Sequence, residues 1–151
     1  MPTNSEVEMS PAEVDALLSR HETGVLSLAR DDVPYAIPIS YGYDADDRAL
    51  YLRLVSTPDS EKREFLASTP AARVVVYEED GDEYASVVGV GPLERVDLDE
   101  LTPETIAQYG EAQRPLFEIW ADDKPELDIE LYRFAPETLT GRTVVVERDG
   151  E

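Results

Sequence analysis

The sequence predicts a mainly β domain of the α+β class, in which about six antiparallel strands close into a small barrel. Apolar residues alternate or cluster in short runs, such as "GVLSLAR" and "ARVVVYEE", and each run ends at turn-forming residues. Closure into a barrel would remove exposed sheet edges. An open α+β sheet fits the same periodicity and stays an alternative.

One helix is predicted before the strands, in the segment "SPAEVDALLSRHE". Ser10 is the predicted N-cap, Pro11 the first helical residue, and Glu13 the residue that completes a capping box. An apolar stripe follows at helical spacing, formed by Val14, Leu17 and Leu18. This helix is therefore predicted to pack against the strands.

From Gly24 the periodicity changes to that of β-strands. Turns at "DDVP" and "DADD" separate three runs and predict a meander of "GVLSLAR", "YAIPISYGY" and "RALYLRL". The turn "DGDE" predicts a hairpin between "ARVVVYEE" and "YASVVGVGPLERV", and the last strands are "DIELYRFAP" and "GRTVVVERD". Pro38 cannot donate to a ladder, so it is predicted at an edge or a bulge. A further helical region is predicted around residues 102–120.

The length of 151 residues suits one domain with a sizeable core. We predict a domain over residues 10–147, a flexible N-terminus over 1–9 and a C-terminal tail over 148–151. The chain has no cysteine, which excludes disulfides, thiol nucleophiles and zinc–thiolate sites. No signal-peptide pattern or membrane-length apolar run is present, so a cytoplasmic location is predicted.

The net charge of −21 argues against nucleic acid and membrane partners, because phosphates and anionic lipids would be repelled. Acidic residues recur along the whole chain, and only two of the 13 basic residues are lysines, Lys62 and Lys124. This balance predicts a halophilic protein that works in concentrated salt. An ordinary acidic surface that keeps the protein soluble is the alternative.

Scarce positive charge and hydroxyl groups gather in "RLVSTPDSEKREFL", residues 53–66. Thr57 or Asp59 can cap a helix whose first turn holds Lys62, and a helix N-terminus together with a lysine favours a phosphate. The alternative is that Lys62 and Arg63 pair with neighbouring carboxylates on a solvated helix.

Other signals favour structural roles. The run "GVGP" lacks the third glycine of a dinucleotide fingerprint and is interpreted as a bulge or a close approach of backbones. His21 follows the first helix, where capping or simple exposure is expected rather than catalysis. Trp120 lies on a predicted amphipathic helix and packs either in the core or over a ligand or partner subunit.

The order of these segments resembles a known family. The first helix, "GVLSLARDDVPYAIPISYGYDADDRALYLRL", a polar loop with a lysine, "ARVVVYEE", "ASVVGVGPLERV" and "APETLTGRTV" are similar to the flavin-binding split-barrel proteins related to pyridoxamine 5′-phosphate oxidase. Within that family the chain resembles most the branch of nitroimidazole-resistance proteins. The resemblance covers roughly residues 10–146 and rests on the arrangement of loose motifs.

The resemblance implies a six-stranded antiparallel split β-barrel with flanking helices, which forms a homodimer and holds FMN in two clefts at the subunit interface. The residues that it implies beside the isoalloxazine and ribityl groups are Pro38, Ile39, Ser40 and Tyr41. Those implied at the phosphate are Arg53, Ser60 and Lys62. Ser86 on an adjacent strand and Trp120 are further candidates for contact with the cofactor.

The implied function is that of an FMN-dependent oxidoreductase acting on an unidentified small molecule. No side chain is assigned as a catalytic acid or base. Arg53 stands near the place where some nitroimidazole-resistance relatives have a histidine, so reduction of that drug class is not carried over. Two alternatives stay open: a non-catalytic flavin-binding or ligand-sequestering module, and a deazaflavin-dependent reductase on the same fold.

Overall fold

The computed structural model describes residues 4–56, 65–66, 71–96, 103 and 128–146. These residues include one helix and nine strands with defined bounds. In chain order they are β1 Asn4–Glu8, α1 Pro11–Arg20, β2 Thr23–Arg30, β3 Val33–Asp44, β4 Ala49–Ser56, β5 Ala72–Asp80, β6 Glu83–Gly91, β7 Leu93–Val96, β8 Asp128–Phe134 and β9 Thr138–Val146.

The predicted start of α1 is confirmed. The Ser10 hydroxyl accepts a hydrogen bond from the Glu13 backbone, the Glu13 carboxylate accepts one from the Ser10 backbone, and Pro11 begins the helix. Together these contacts form the capping box, which satisfies backbone donors that a helix start would otherwise leave unpaired.

The meander of β2, β3 and β4 is confirmed, and its first turn has a clear physical basis. Arg30 pairs with Val33, so Asp31 and Asp32 alone form the loop, and both have positive φ angles of 50° and 68°. Two consecutive residues with positive φ define a turn whose twist matches that of the strands. Aspartate tolerates this backbone region better than most side chains.

Pro38 lies where β3 pairs with β2 alone. It faces Val25 on β2, whereas the register between β3 and β4 begins at Tyr41. The side of β3 toward β4 is therefore a local edge at Pro38, as predicted, and no ladder bond is lost there.

Two long bent strands close the barrel. One consists of β6 and β7, which only Pro92 separates, and the other consists of β8 and β9, which only residues 135–137 separate. The two bent strands run antiparallel to each other, because β6 pairs with β9 and β7 pairs with β8. β4 lies beside β8, and β5 lies beside β6. The order of strands around the barrel is therefore β2, β3, β4, the bent strand β8–β9, the bent strand β6–β7, and β5, which pairs again with β2. The split-barrel prediction is thus confirmed, with its two longest strands each bent into two segments.

The inner face of the strands and α1 form one core. Val14, Leu17 and Leu18 of α1 are buried against inward-facing strand residues such as Leu26 and Phe134. The gap between α1 and the strands has no room for a water molecule. This part of the barrel interior is therefore packed with side chains and has no room for a ligand.

Part of the predicted flexible N-terminus belongs to the sheet. Residues 4–8 form β1 and pair antiparallel with β9 from Val146 to Arg142. A short, acidic segment has a weak strand pattern, so only the partner strand reveals it.

The predicted helix after β4 and the one around residues 102–120 lie outside the described residues, apart from the helical residues Phe65, Leu66 and Pro103. None of the helices that are described is long and apolar enough to cross a membrane.

Candidate functional site

The outward face of β3 and β4 brings several of the predicted residues together. The register pairs Gly42 with Tyr51, and continuing it by two residues places Ser40 opposite Arg53. Because side chains alternate along a strand, these four residues and Pro38 share one face. Ser40 is fully buried, Arg53 is half-buried and Pro38 is exposed.

Ile39 and Tyr41 point the other way, into the barrel core. Both are almost completely buried, and the Tyr41 hydroxyl donates a 2.7 Å hydrogen bond to the carbonyl of Leu18 in α1. Burial raises the pKa of Tyr41. Only the backbone of these two residues is therefore placed to border a ligand on the outward face.

Arg53 has no ion pair with any described residue, whereas five of the eight described arginines do. Arg20 binds Glu78 and Arg48 binds Asp15, each through a hydrogen-bonded salt bridge. An arginine that is half-buried and not neutralised by a carboxylate is suited to bind an anionic group. Its neighbour Ser40 has a hydroxyl on the same face.

Ser86 is not brought close to Arg53 within one chain. It lies on β6 between Tyr77 of β5 and Arg142 of β9. β6 does not pair with β3 or β4, the strands that carry Ser40 and Arg53. Ser60, Lys62 and Trp120 lie outside the described residues.

A second small cluster covers another part of the outward face. Ala49 and Tyr51 of β4 are buried there with Val96 and Leu131. A hydrogen bond between Tyr51 and Arg133 raises the pKa of Arg133. Tyr51 thus combines an apolar contact with a hydroxyl that binds Arg133.

A cleft of about 370 Å³ opens where α1 ends and β3 continues past β2. Residues from α1, from the following linker and from β3 line it: Leu18, Ser19, His21, Glu22, Tyr41, Gly42 and Tyr43. Tyr41 and Gly42 directly follow Ser40 in β3, so the cleft adjoins the part of the strand that carries Ser40. The sequence did not indicate this cleft, because its walls come from two segments that meet only in the folded chain.

His21 is the C-cap of α1 and lies in a polar cluster. Its Nε2 atom is 2.6 Å from Oε1 of Glu78, and Arg20 donates two hydrogen bonds to the same carboxylate. Arg20 and His21 together hold the pKa of Glu78 at about 2. His21 occupies the C-cap position, one of the two roles expected for it, and its contact with Glu78 had no signal in the sequence.

Solved structures with the same fold come from several bacteria. An FAD-binding protein from Mesorhizobium loti is 23% identical and has a TM-score of 0.73, covering 94% of this chain and 98% of its own. The FAD-binding protein from Mycobacterium smegmatis is 16% identical with a TM-score of 0.66, and the match covers 91% and 98% of the two chains.

A proposed 5-nitroimidazole antibiotic resistance protein from Bacteroides thetaiotaomicron is 14% identical with a TM-score of 0.68, covering 95% of this chain and 90% of its own. At these identities the likeness shows the fold. No curated protein matches the chain in sequence. The family model described as pyridoxamine 5′-phosphate oxidase matches residues 10–143, nearly the full length, and the predicted resemblance is confirmed. The chain belongs to the pyridoxamine 5′-phosphate oxidase family.

Proposed function

We propose that the protein is an FMN-dependent oxidoreductase that binds the flavin on the outward face of β3 and β4. The observation that carries the proposal is the placement of Ser40 and Arg53 on one face of β3 and β4. Family membership and the names of the two FAD-binding proteins of the same fold support a flavin.

Arg53 is the described residue best suited to hold the phosphate of FMN, since no described carboxylate neutralises it. Ser60 and Lys62 follow β4 in sequence and would complete the phosphate site. Bound FMN would supply the electron transfer, while the protein binds and orients the ring.

A homodimer is part of the same proposal, because the outward face of the neighbouring strands is apolar. Val25, Val75 and Val88 are paired directly across β2, β5 and β6, and all three are only half-buried. Tyr77 on the same face is 68% exposed. In a chain with a net charge of −21, such a face is suited to cover a second copy related by twofold symmetry.

Spectra of the purified protein test the proposal. We expect FMN to bind with a change in its visible absorption, and the bound flavin to bleach when NADH or NADPH is added without oxygen. Parallel titrations with FAD and a deazaflavin show which of the three cofactors the protein binds most tightly. Stable colour with no turnover of any acceptor would indicate the non-catalytic module, and preference for the deazaflavin would replace FMN in the proposal.

A further inference from the structure

Most of the side-chain hydrogen-bonding groups that line the cleft at the end of α1 are acceptors, and the Ser19 hydroxyl is the exception. The Tyr41 hydroxyl donates its proton to the Leu18 carbonyl, and the Tyr43 hydroxyl donates its proton to Asp15 over 2.6 Å. Burial and the bond to Asp15 raise the pKa of Tyr43 to about 12, so this phenol stays neutral. Neither hydroxyl has a proton left to donate, and the Tyr43 oxygen also accepts a hydrogen bond from Arg48.

The imidazole of His21 has the same property. A carboxylate can only accept, so the contact of Nε2 with Glu78 fixes the proton of the neutral ring on Nε2. Nδ1 then carries a lone pair and is an acceptor. The rim adds the carboxylate of Glu22 and the last carbonyl groups of α1, which also accept.

The residues around the cleft have a net negative charge. Glu78 is paired with Arg20, and Asp15 is paired with Arg48. Glu22 has no ion pair with the residues that the structure describes. The C-terminal end of α1 adds the negative pole of the helix dipole. A ligand that fits this cleft should bring positive charge and hydrogen-bond donors together.

We propose that this cleft binds a compact ligand through a primary ammonium group. An ammonium group has three donors and no acceptor, which complements Nδ1 of His21, the carboxylate of Glu22 and the Tyr43 oxygen. The volume of about 370 Å³ lies in the range of small-molecule sites. The inference does not depend on flavin binding.

Three probes of the same shape test the inference by NMR titration of the full chain at one salt concentration and pH 8. They are benzylamine, benzyl alcohol and benzoate. We expect benzylamine to bind most tightly and benzoate least, with shifts of backbone signals in residues 18–22 and 41–43. Equal binding of benzylamine and benzyl alcohol, or shifts confined to other residues, would overturn the inference.

Two substitutions of exposed residues separate the cleft from the general attraction of amines to an acidic protein. Ser19→Arg places a positive charge on the rim, whereas Ala12→Arg adds the same charge to α1 about 10 Å away. We expect Ser19→Arg to weaken benzylamine binding by about two- to five-fold and Ala12→Arg to leave it nearly unchanged. Equal effects of the two would contradict the site.

A second pair of substitutions each removes one negative charge. Glu22→Gln should weaken benzylamine by a similar factor, and Glu83→Gln, at an exposed position on β6, should not. If FMN binds but benzylamine does not, this inference fails and the flavin proposal stands. If benzylamine binds in the cleft but no flavin binds, the reverse holds.

Discussion

The guanidinium group of Arg20 donates two hydrogen bonds of 2.8 Å to the carboxylate of Glu78. Arg20 is the last residue of α1, and Glu78 lies in β5 on the barrel. His21 contacts the same carboxylate. The end of α1 is thereby fixed to the barrel at the place where the cleft opens.

The first prediction concerns acid stability. The pKa of Glu78 is about 2, below the ordinary value of about 4.3, so ionised Glu78 stabilises the fold above about pH 4.3. That contribution is lost as the pH falls toward 2. We expect Glu78→Gln to lower the free energy of unfolding by about 1 kcal/mol at pH 7, and the difference from wild type to shrink between about pH 4 and pH 2.

Urea unfolding across this pH range measures the difference. The wild-type curve alone is not informative, because protonation of other carboxylates relieves repulsion in a chain of net charge −21. Glu79→Gln is the matched control, since Glu79 is the exposed neighbour with the same charge. A pH-independent difference for Glu78→Gln would show that its effect does not come from ionisation.

The second prediction concerns the corner where the two bent strands cross. A Cβ atom on Gly91 would lie 2.6 Å from the carbonyl oxygen of Ala135 and 2.7 Å from the backbone nitrogen of Glu137. Backbone atoms cannot move aside as a flexible side chain can. We therefore expect Gly91→Ala to lower the free energy of unfolding by about 1–3 kcal/mol, measured by urea denaturation.

Gly81→Asn is the control for this substitution. Gly81 has a φ of 62° and nothing within 4 Å of its Cβ direction, and asparagine tolerates such a φ. Its effect should stay within about 0.5 kcal/mol. Equal unfolding midpoints for Gly91→Ala and wild type would mean that the corner relaxes without cost.

The contrast between the two glycines shows what the sequence could and could not predict. Turns such as Asp31–Asp32 are local, so turn-forming residues between apolar runs were enough to predict the meander. The crossing at Gly91 brings together backbones far apart in the chain. The sequence indicated a close approach at "GVGP" but could not identify Ala135 as the neighbour, because that depends on the barrel closing.

The candidate site also has features that the sequence predicted and features that it could not predict. Ser40 and Arg53 were predicted as candidates, and their common face follows from the strand register. Ser40 and Tyr41 were expected to border the same ring, yet consecutive strand residues point to opposite faces. The Tyr41 side chain is therefore in the core, where its hydroxyl binds α1. The contact of His21 with Glu78 joins segments with no common pattern, so periodicity could not reveal it.

The third prediction concerns the proposed dimer. Tyr77→Glu places a charge in the apolar outward face of β5 and should raise the dimer dissociation constant at least about tenfold, because a buried charge without a partner is costly. Val33→Glu is the control, since Val33 is 54% exposed at the turn between β2 and β3. Sedimentation at one salt concentration measures both. A similar change for the two variants would place the interface elsewhere.

The fourth prediction follows from the acidic, lysine-poor composition. We expect folding and dimerisation to require high salt, because the screening length falls from above 10 Å at about 0.05 M to about 3 Å at 1 M. Circular dichroism and sedimentation across a salt series test this. Potassium chloride and choline chloride should act alike at equal ionic strength if screening is the cause. A folded dimer at about 0.05 M salt would contradict the prediction.

The last prediction concerns the phosphate of the proposed flavin. Arg53→Ala should weaken FMN binding by about ten- to 150-fold, the equivalent of a hydrogen bond to a charged group worth about 1.5–3 kcal/mol. Riboflavin has no phosphate, so its affinity should hardly change. Lys62→Ala, in the segment that follows β4, should show the same selectivity.

Arg73→Ala and Lys124→Ala are the matched controls for this comparison. Arg73 is exposed on β5, which β2 and β3 separate from β4. Lys124 is the only other lysine, and the sequence predicts its segment "DDKPE" to be an exposed loop. Each substitution removes one positive charge. Fluorescence-quenching titrations of both flavins at one salt concentration measure all four variants. If Arg53→Ala weakens FMN and riboflavin equally, Arg53 supports the fold of the outward face and does not bind the phosphate. If it weakens neither, the anionic group binds at another part of the chain, and the role of Arg53 in the proposal is wrong.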